Sequence, residues 1–486
     1  MNYRLIFNLL GKVLVLEAAL LVLPLITSFV YLEWNGAMAF GITIAGALGL
    51  GLLLAFLVKP KKNQHMYAKE GLIITALAWI VVSLVGSLPF VISREIPSFI
   101  DALFEIVSGL TTTGASVLGD VEALSHGMLF WRSFSHWIGG MGVLVFVLAF
   151  VNRNDRSMHI LRAEMPGPTV DKLVPKAKNT AFILYGIYVV LTLVLAIMLV
   201  CGDMNFFDAI LHAFGTAGTG GFGIRNTSLT DYSSYSQWVI AIFMLLFGVN
   251  FNLYFLLILR KFSGIFRNTE FWVYICVVVA SVTIITLNIY SLYGSVATAL
   301  KHSTFQVASL MSTTGYSTAD FDQWPALSKG ILFTLMFIGG CAGSTSGGFK
   351  LTRVVILFKK IGNDLKRALH PRTATVVKIN GEKVSEETTS GVTSYLAIYV
   401  LIFLAVFIIL SLDPHVPQQG ALETNISAAA SAFNNIGPGF NAVGPTCNFG
   451  FYSPVSKIVL IFAMLLGRLE IYPILVALSP TTWFKR

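Results

Sequence analysis

Four short clusters of glycine with hydroxyl and amide side chains have the most specific chemistry in this 486-residue sequence. They read Thr111-Thr112-Thr113-Gly114-Ala115-Ser116, Ala217-Gly218-Thr219-Gly220-Gly221-Phe222, Ser312-Thr313-Thr314-Gly315-Tyr316-Ser317 and Asn434-Asn435-Ile436-Gly437-Pro438-Gly439, and we call them loops 1 to 4. A ring of backbone carbonyls aimed at one axis can replace the water shell of a dehydrated K⁺. Aiming a carbonyl inward requires backbone angles that a Cβ disfavours, so glycine is the expected residue. The clusters therefore suit the binding of a bare monovalent cation.

Each cluster aligns with the others on one glycine, and these glycines are Gly114, Gly220, Gly315 and Gly437. The neighbours predicted to supply oxygens or to brace the loops are Thr111, Thr112, Thr113, Gly218, Thr219, Thr313, Thr314, Asn435 and Ile436. Residues 99–104 and 206–211, which approach the first two glycines, also resemble each other, but their spacing to the glycine differs by one residue. Glycine also permits close packing of membrane helices. Four copies in the same setting make packing alone an insufficient explanation.

The clusters lie in a chain whose composition suits a membrane. Only 12% of its residues are charged, against about 25% in a soluble domain. Several apolar runs reach the roughly 18–20 residues that cross the hydrocarbon layer, most plainly residues 5–31, 37–58 and 181–200. The first run lacks the cleavage site of a secretory signal and contains Pro24, so we expect it to be retained.

Each loop belongs to a unit made of a long apolar segment, a half-length segment, the loop and a second long segment. The half-length segments, such as residues 101–110 and 208–214, are too short to span and too apolar to lie in water. Non-helical backbone at membrane depth survives only against protein or a water-filled path. We therefore predict an all-α integral membrane protein with ten transmembrane helices. Two N-terminal helices precede four pseudo-symmetric helix–pore loop–helix repeats around one pore.

The predicted organisation follows the chain in order. Residues 1–66 form the two N-terminal helices, 67–152 repeat 1, 153–178 a cytosolic connection, 179–262 repeat 2, 263–358 repeat 3, 359–388 a second cytosolic connection and 389–486 repeat 4. Lys and Arg concentrate in alternate connections, and the positive-inside rule then places both termini in the cytoplasm. The net charge of +9 thus reports topology, and we expect no nucleic acid partner.

Residues 339–350, with the sequence GGCAGSTSGGFK, interrupt the second long segment of repeat 3, and we call them the gating segment after the role that the family resemblance described below implies. Glycines and hydroxyl residues disfavour a regular helix there, and the spacing does not fit a phosphate-binding loop. We predict an unwound stretch inside the membrane, with a close-packed helix crossing as the alternative. Arg468 lies in another apolar segment, where a central arginine costs at least about 2.5–3.5 kcal/mol. It should therefore face the pore or a carboxylate.

Other polar residues are expected to have structural roles. Lys350 and Arg353 should extend to the membrane interface, and His136 and His212 should be structural histidines. Three acidic residues near the outer ends of the half-length segments either attract cations or favour helix N-termini, and we prefer the second role. They are Asp101, Glu105 and Asp208. Residues 376–384 alternate apolar and polar around Asn-Gly, which predicts a β-hairpin that docks a partner, or else a solvated loop tip.

Over nearly its whole length the sequence resembles the TrkH/TrkG branch of the Trk/Ktr/HKT potassium-transporter superfamily. The most specific matches are residues 101–114, 312–315, 339–350, 434–437 and 467–473. Loop 2 is richer in glycine than expected of the family. The resemblance implies K⁺ binding at the filter residues above and K⁺ uptake, with Rb⁺ as a substitute. It also implies a homodimer in the bacterial inner membrane, with one pore per subunit, gated by a cytosolic TrkA-type nucleotide-binding ring. The gate residues that it implies are Gly343, Ser344, Thr345, Ser346, Gly347, Gly348 and Arg468.

Three other classes of protein are alternatives to this interpretation. A Na⁺-permeable or Na⁺-coupled relative is the nearest, and glycine in all four loops favours K⁺, since a serine in the first loop accompanies Na⁺ preference in plant HKT proteins. A membrane-embedded enzyme would need paired carboxylates, a histidine cluster or a Ser/Lys dyad, which the sequence does not place together. A purely structural protein would not need re-entrant loops. The four cysteines form no Cys-x-x-Cys pair, which argues against a structural zinc site or a thiol redox centre. No bound cofactor is expected for this chain.

Overall fold

The computed structural model describes residues 2–58, 68–142, 177–372 and 375–483, which are mostly helical. Its helices are α1 (Tyr3–Leu20), α2 (Val22–Val30), α3 (Trp34–Leu57), α4 (Ala68–Ile92), α5 (Phe99–Leu110), α6 (His126–Met141), α7 (Ala177–Val200), α8 (Phe206–Gly218), α9 (Ser234–Phe247), α10 (Phe251–Ile258), α11 (Phe262–Phe266), α12 (Thr269–Tyr293), α13 (Val296–Met311), α14 (Ala326–Ile338), α15 (Leu351–Leu369), α16 (Glu386–Ser411), α17 (Ala421–Asn434), α18 (Pro454–Arg468), α19 (Tyr472–Leu478) and α20 (Pro480–Trp483). Two short strands, β1 (Lys378–Ile379) and β2 (Glu382–Lys383), lie between α15 and α16. Most of the predicted cytosolic connection 153–178 lies outside the described residues.

Helix lengths recur in a fixed order along the chain. The long helices α4, α7, α12 and α16 contain 24 to 26 residues. Each precedes a short helix of 12 to 16 residues, and these are α5, α8, α13 and α17. A third helix of 13 to 16 residues follows each loop, and these are α6, α9, α14 and α18. The sequence predicted a long segment, a half-length segment, a loop and a second long segment in each unit, whereas the third helix has no more than 16 residues.

Six helical stretches of the described chain are long and apolar enough to cross a membrane, or seven if the bent pair α9 and α10 counts as one span. The prediction was ten. The difference arises in the third helix of each unit, which stops after 13 to 16 residues where the backbone turns. After α9 the chain bends by 91°, and left-handed residues follow the others at Gly142, Gly339 and Glu470.

The first two predicted spans pack tightly against each other. The stretch Tyr3–Val30 comprises α1 and α2, and it crosses α3 where a Cβ on Gly11 would lie 2.7 Å from the carbonyl oxygen of Gly51. Asn8 donates from Nδ2 to the carbonyl of Ala55 at 2.7 Å. Small residues and an interhelical hydrogen bond stabilise such contacts in lipid, where the hydrophobic effect between helices is weak.

The predicted β-hairpin is confirmed in the described residues. β1 and β2 are antiparallel, with Lys378 opposite Lys383 and Ile379 opposite Glu382. The turn residues Asn380 and Gly381 both have positive φ, as a two-residue hairpin turn requires.

Candidate functional site

The four loops contact one another in a closed ring. A Cβ built on one glycine of each loop would collide with, or press against, a backbone carbonyl of a neighbouring loop. The pairs of glycine and carbonyl are Gly114 with Gly220, Gly221 with Thr314, Gly315 with Ile436 and Gly437 with Thr113. Loop 1 thus meets loop 2, loop 2 meets loop 3, loop 3 meets loop 4 and loop 4 returns to loop 1. We call the carbonyls of Thr113, Gly220, Thr314 and Ile436 the carbonyl ring.

The backbone of each loop follows the same course. A left-handed residue with φ of 55° or 56° comes first, and these residues are Thr112, Thr219, Thr313 and Asn435. Two positions later comes a left-handed glycine with φ between 76° and 103°, and these glycines are Gly114, Gly221, Gly315 and Gly437. Only glycine adopts the φ angles of this second position at no steric cost.

The predicted alignment of loop 2 was therefore wrong by one residue. Gly221 has the left-handed conformation, whereas Gly220 supplies a carbonyl to the ring. The sequence contained a signal of this error, because Asp208 is one residue closer to Gly220 than Asp101 is to Gly114. Counted to Gly221, the spacing from Asp208 equals the spacing from Asp101 to Gly114.

Each loop is fixed to the short helix before it by backbone hydrogen bonds. Thr113 donates to the carbonyl of Ser108 at 2.8 Å, and the equivalent residues of the other loops do the same. These equivalents are Gly220 to Gly215 at 2.8 Å, Thr314 to Ser309 at 2.8 Å and Ile436 to Ser431 at 3.0 Å. These hydrogen bonds satisfy the N–H groups of all four residues and fix each loop to its short helix.

Side chains add links between neighbouring loops. Asn435 donates from Nδ2 to Thr113 Oγ1 at 3.0 Å, which joins loop 4 to loop 1. His136 accepts from the backbone N–H of Phe222 at 3.2 Å through Nε2, so its proton lies on Nδ1, 2.7 Å from the carbonyl oxygen of Gly109. His136 therefore has the structural role expected of it, between α5 and loop 2.

A buried ion pair lies beside loops 1 and 2. Glu105 and Arg132 lie 2.5 Å apart and are at most 3% exposed. Glu105 also accepts from the N–H of Val117 at 3.1 Å, and Arg132 donates to the carbonyl of Gly223 at 2.8 Å. The prediction that Glu105 favours a helix N-terminus was wrong, because it lies in the second turn of α5 and braces the chain that leaves loop 1.

The other two acidic residues lie in the first helical turns, as expected, but the capping side chains are different. Ser98 caps α5 and Asn205 caps α8. Asp101 pairs with Lys457 at 2.6 Å, and Asp208 accepts from the hydroxyl of Tyr232 at 2.9 Å.

The gating segment is unwound, as predicted, so the helix crossing is excluded. Gly339, Gly343 and Gly348 have positive φ. The segment lies against loop 3, since the N–H of Gly347 donates to Thr313 Oγ1 at 2.6 Å. It also lies against the end of α9, where the N–H of Cys341 donates to the carbonyl of Gly248 at 2.9 Å.

Arg468 joins three of the four units next to the loops. It donates to the carbonyl of Thr345 at 2.8 Å and to the carbonyls of Gly139 and Gly140 at 2.5 and 2.7 Å. Thr345 in turn donates to the carbonyl of Phe247 at 3.3 Å. Loops 1 and 3 are opposite each other in the ring, so a single guanidinium that contacts both of their units lies between them.

Lys350 and Arg353 contradict their prediction. They are 2% and 6% exposed rather than extended to an interface. Lys350 donates to the carbonyl of Ser346, and Arg353 pairs with Glu470 at 2.5 Å. Their partners lie in an unwound segment and in a distant helix break, which no local pattern in the sequence indicates.

These observations define a helical membrane protein whose four loops meet in one ring, beside which an unwound segment and an arginine are joined by a hydrogen bond. The chain belongs to the TrkH family of cation transport proteins, whose family model matches residues 37–484.

Individual relatives resemble the chain over its full length. A Trk system potassium uptake protein TrkH of Salmonella typhimurium is 36% identical over 99% of this chain and 100% of the relative. TrkG of Escherichia coli, also described as a Trk system potassium uptake protein, is 32% identical over 99% of each chain. The crystal structure of the potassium transporter TrkH from Vibrio parahaemolyticus matches with a TM-score of 0.87 at 31% identity, covering 100% of both chains.

Proposed function

We propose that this protein takes up K⁺ by channel-like permeation along the axis of the four loops. The observation that carries this proposal is the closed ring of glycine–carbonyl contacts among the loops. Four equivalent carbonyls around one axis supply the oxygen dipoles that a dehydrated K⁺ requires. The related proteins named as potassium uptake proteins support the choice of ion.

In the proposed architecture, ten transmembrane segments form two N-terminal helices and four repeats. The recurring order of helix lengths supports this arrangement, and so do the helices α10, α15 and α19, which follow α9, α14 and α18 beyond their breaks. The selectivity filter comprises Thr111, Thr112, Thr113, Gly114, Gly218, Thr219, Gly220, Gly221, Thr313, Thr314, Gly315, Asn435, Ile436 and Gly437. Gly221 joins the predicted set because of its left-handed backbone.

The proposed gate consists of residues 343–348 and Arg468. Its support is the position of Arg468, which binds Thr345 and lies between the units of loops 1 and 3. A fixed positive charge and a steric block at this point both oppose the passage of a cation.

The proposed regulator is a cytosolic TrkA-type nucleotide-binding ring that docks on the hairpin, in the bacterial inner membrane with both termini cytoplasmic. The hairpin supports this role because Asn380 accepts from the N–H of Thr269 at 2.8 Å, at the start of α12. The hairpin on which the partner docks therefore contacts the start of a membrane helix directly. The ring of loops closes within one chain, so each subunit of the proposed homodimer has its own pore.

The test is uptake of radioactive Rb⁺ into K⁺-loaded liposomes by the purified protein and by a variant that lacks residues 343–348. We expect the deletion variant to take up Rb⁺ without a partner, and excess external K⁺ to compete far better than Na⁺. Absence of uptake by both proteins would overturn the proposed permeation. Equal competition by Na⁺ would favour the Na⁺-permeable alternative.

A further inference from the structure

Three cationic side chains each donate to a backbone carbonyl of the gating segment. The pairs are Arg468 with Thr345, Lys350 with Ser346 and Arg353 with Phe349. Such carbonyls are the groups that otherwise coordinate a permeating cation. In this structure those carbonyls accept hydrogen bonds from lysine and arginine side chains of the protein instead.

Arg353 also binds the gating segment to another part of the chain. It stands at the start of α15 and pairs with Glu470, in the break between α18 and α19, at 2.5 Å. Its guanidinium carbon lies 4.2 Å from the ring centre of Tyr395 on α16. A buried guanidinium with these contacts holds three elements in one arrangement, because moving any of them leaves a charge without its partner.

The backbone on both sides of this ion pair is strained. Lys350, where α15 begins, has φ of 76°, and Glu470 and Ile471 have φ of 58° and 65°. A positive φ is rare for any residue with a side chain and a genuine outlier for β-branched isoleucine. Such conformations persist only where surrounding contacts hold them.

We propose that the Arg353–Glu470 ion pair is a latch that keeps the gating segment next to Arg468 in the closed state. Glu470 is two residues from Arg468, and Arg353 is five residues from Gly348. The ion pair joins the start of α15, which follows the gating segment, to the break after α18, which follows Arg468. While it is formed, it keeps the gating segment and Arg468 together. Arg353 and Glu470 are thus positioning residues, and this inference rests on the proposed pore and gate.

The experiment measures uptake of radioactive Rb⁺ by the purified full chain in liposomes without any partner. Glu470→Gln removes the charge but keeps the size, and we expect uptake to rise about tenfold, which corresponds to about 1.4 kcal/mol. Exchange of the two charges, Arg353→Glu with Glu470→Arg, should return uptake to the low level of the natural protein. Glu33→Gln changes a carboxylate that pairs with His126 far from the gate, and it should leave uptake unchanged.

Thermal melting and size-exclusion profiles separate the latch from a purely structural pair. A lower melting temperature of Glu470→Gln with unchanged Rb⁺ uptake would overturn the latch. If the double variant with exchanged charges does not fold, Arg353→Lys is measured instead, because it keeps the positive charge. Rb⁺ uptake well below that of Glu470→Gln then supports the latch. Uptake equal to that of Glu470→Gln overturns it. The variant lacking residues 343–348 is the reference. Uptake by this variant alone would refute the latch and leave the pore intact, whereas no uptake by any variant would refute both.

Discussion

Four glycines with a left-handed backbone leave no room for a side chain, because a carbonyl of the next loop occupies the space. At Gly114 this carbonyl belongs to Gly220, so one substitution affects two loops. The effect of a mutation here should therefore appear in ion selectivity before it appears in folding.

Gly114→Ser should lower the preference for K⁺ over Na⁺ and retain conduction, because it displaces one of four carbonyls that set the field strength at the ion. The measurement is relative Rb⁺ and Na⁺ uptake in liposomes. Gly221→Ser should behave similarly, since its Cβ would collide with the carbonyl of Thr314. Gly119→Ser is the matched control, because a Cβ at Gly119 meets no atom within 4 Å. Undiminished selectivity in both loop variants would exclude these loops as the filter.

Glu17 is a second residue with an unusual environment. It is 3% exposed in α1, and neither carboxylate oxygen has a hydrogen-bond partner among the described residues. The cavity around it is lined by apolar side chains such as Leu16, Val82 and Trp131. A buried polar group without a partner costs about 1–3 kcal/mol.

Glu17→Met should therefore raise the melting temperature of the purified protein in detergent, since it keeps the length of the side chain and removes the unpaired oxygens. Glu33→Met should lower it, because Glu33 accepts from the backbone N–H groups of His126 and Gly127 at 2.8 and 3.0 Å. A lower melting temperature for Glu17→Met would mean that the carboxyl stabilises the fold.

At the scale of elements, the breaks in α9–α10, α14–α15 and α18–α19 lie next to one another. The gating segment contacts both other breaks, through Gly248 and through Arg468. The hairpin is linked to α12, whose Glu270 accepts from the N–H of Ala342 at 2.7 Å. Two hydrogen bonds, through the start of α12, therefore connect the hairpin to the gating segment.

Replacement of Asn380-Gly381 with Ala-Ala should weaken the binding of a cytosolic regulator by about tenfold or more, since a left-handed backbone costs an alanine about 1–2 kcal/mol. Binding is measured by pull-down or calorimetry with the purified regulator. In the variant that lacks residues 343–348, the same Ala-Ala replacement should leave Rb⁺ uptake unchanged. Gly391→Ala in α16 is the matched glycine control, because a Cβ at Gly391 meets no atom within 4 Å. Unchanged affinity of the Ala-Ala variant would remove the hairpin from the interface.

At the scale of the whole molecule, the proposed topology puts the loops near the outer surface and the hairpin inside the cell. Gly119, after loop 1, and Glu382, in the hairpin, are both exposed in the described structure. They provide one reporter position on each side.

In a variant without the four natural cysteines, Gly119→Cys should react with a membrane-impermeant maleimide in intact cells. Glu382→Cys should react only after permeabilisation, because the positive-inside rule puts the basic connection 359–388 in the cytoplasm. The extent of labelling is read on gels. The reverse pattern would invert the topology and the direction proposed for the gate.

The sequence by itself determined the helical membrane class, the four loops, the unwound gating segment and the hairpin. Each depends on local chemistry: apolar length, glycine at a constrained backbone position, or Asn-Gly in a two-residue turn. Tertiary structure decided that Gly221 rather than Gly220 has the left-handed conformation in loop 2. It also decided that Lys350 and Arg353 are buried and that Arg468 binds backbone carbonyls of two other units. Several of those outcomes depend on contacts between segments far apart in the sequence, such as Arg353 with Glu470 and Arg468 with Thr345. The free energy that selects them comes from packing and desolvation in the folded chain, which no local pattern contains.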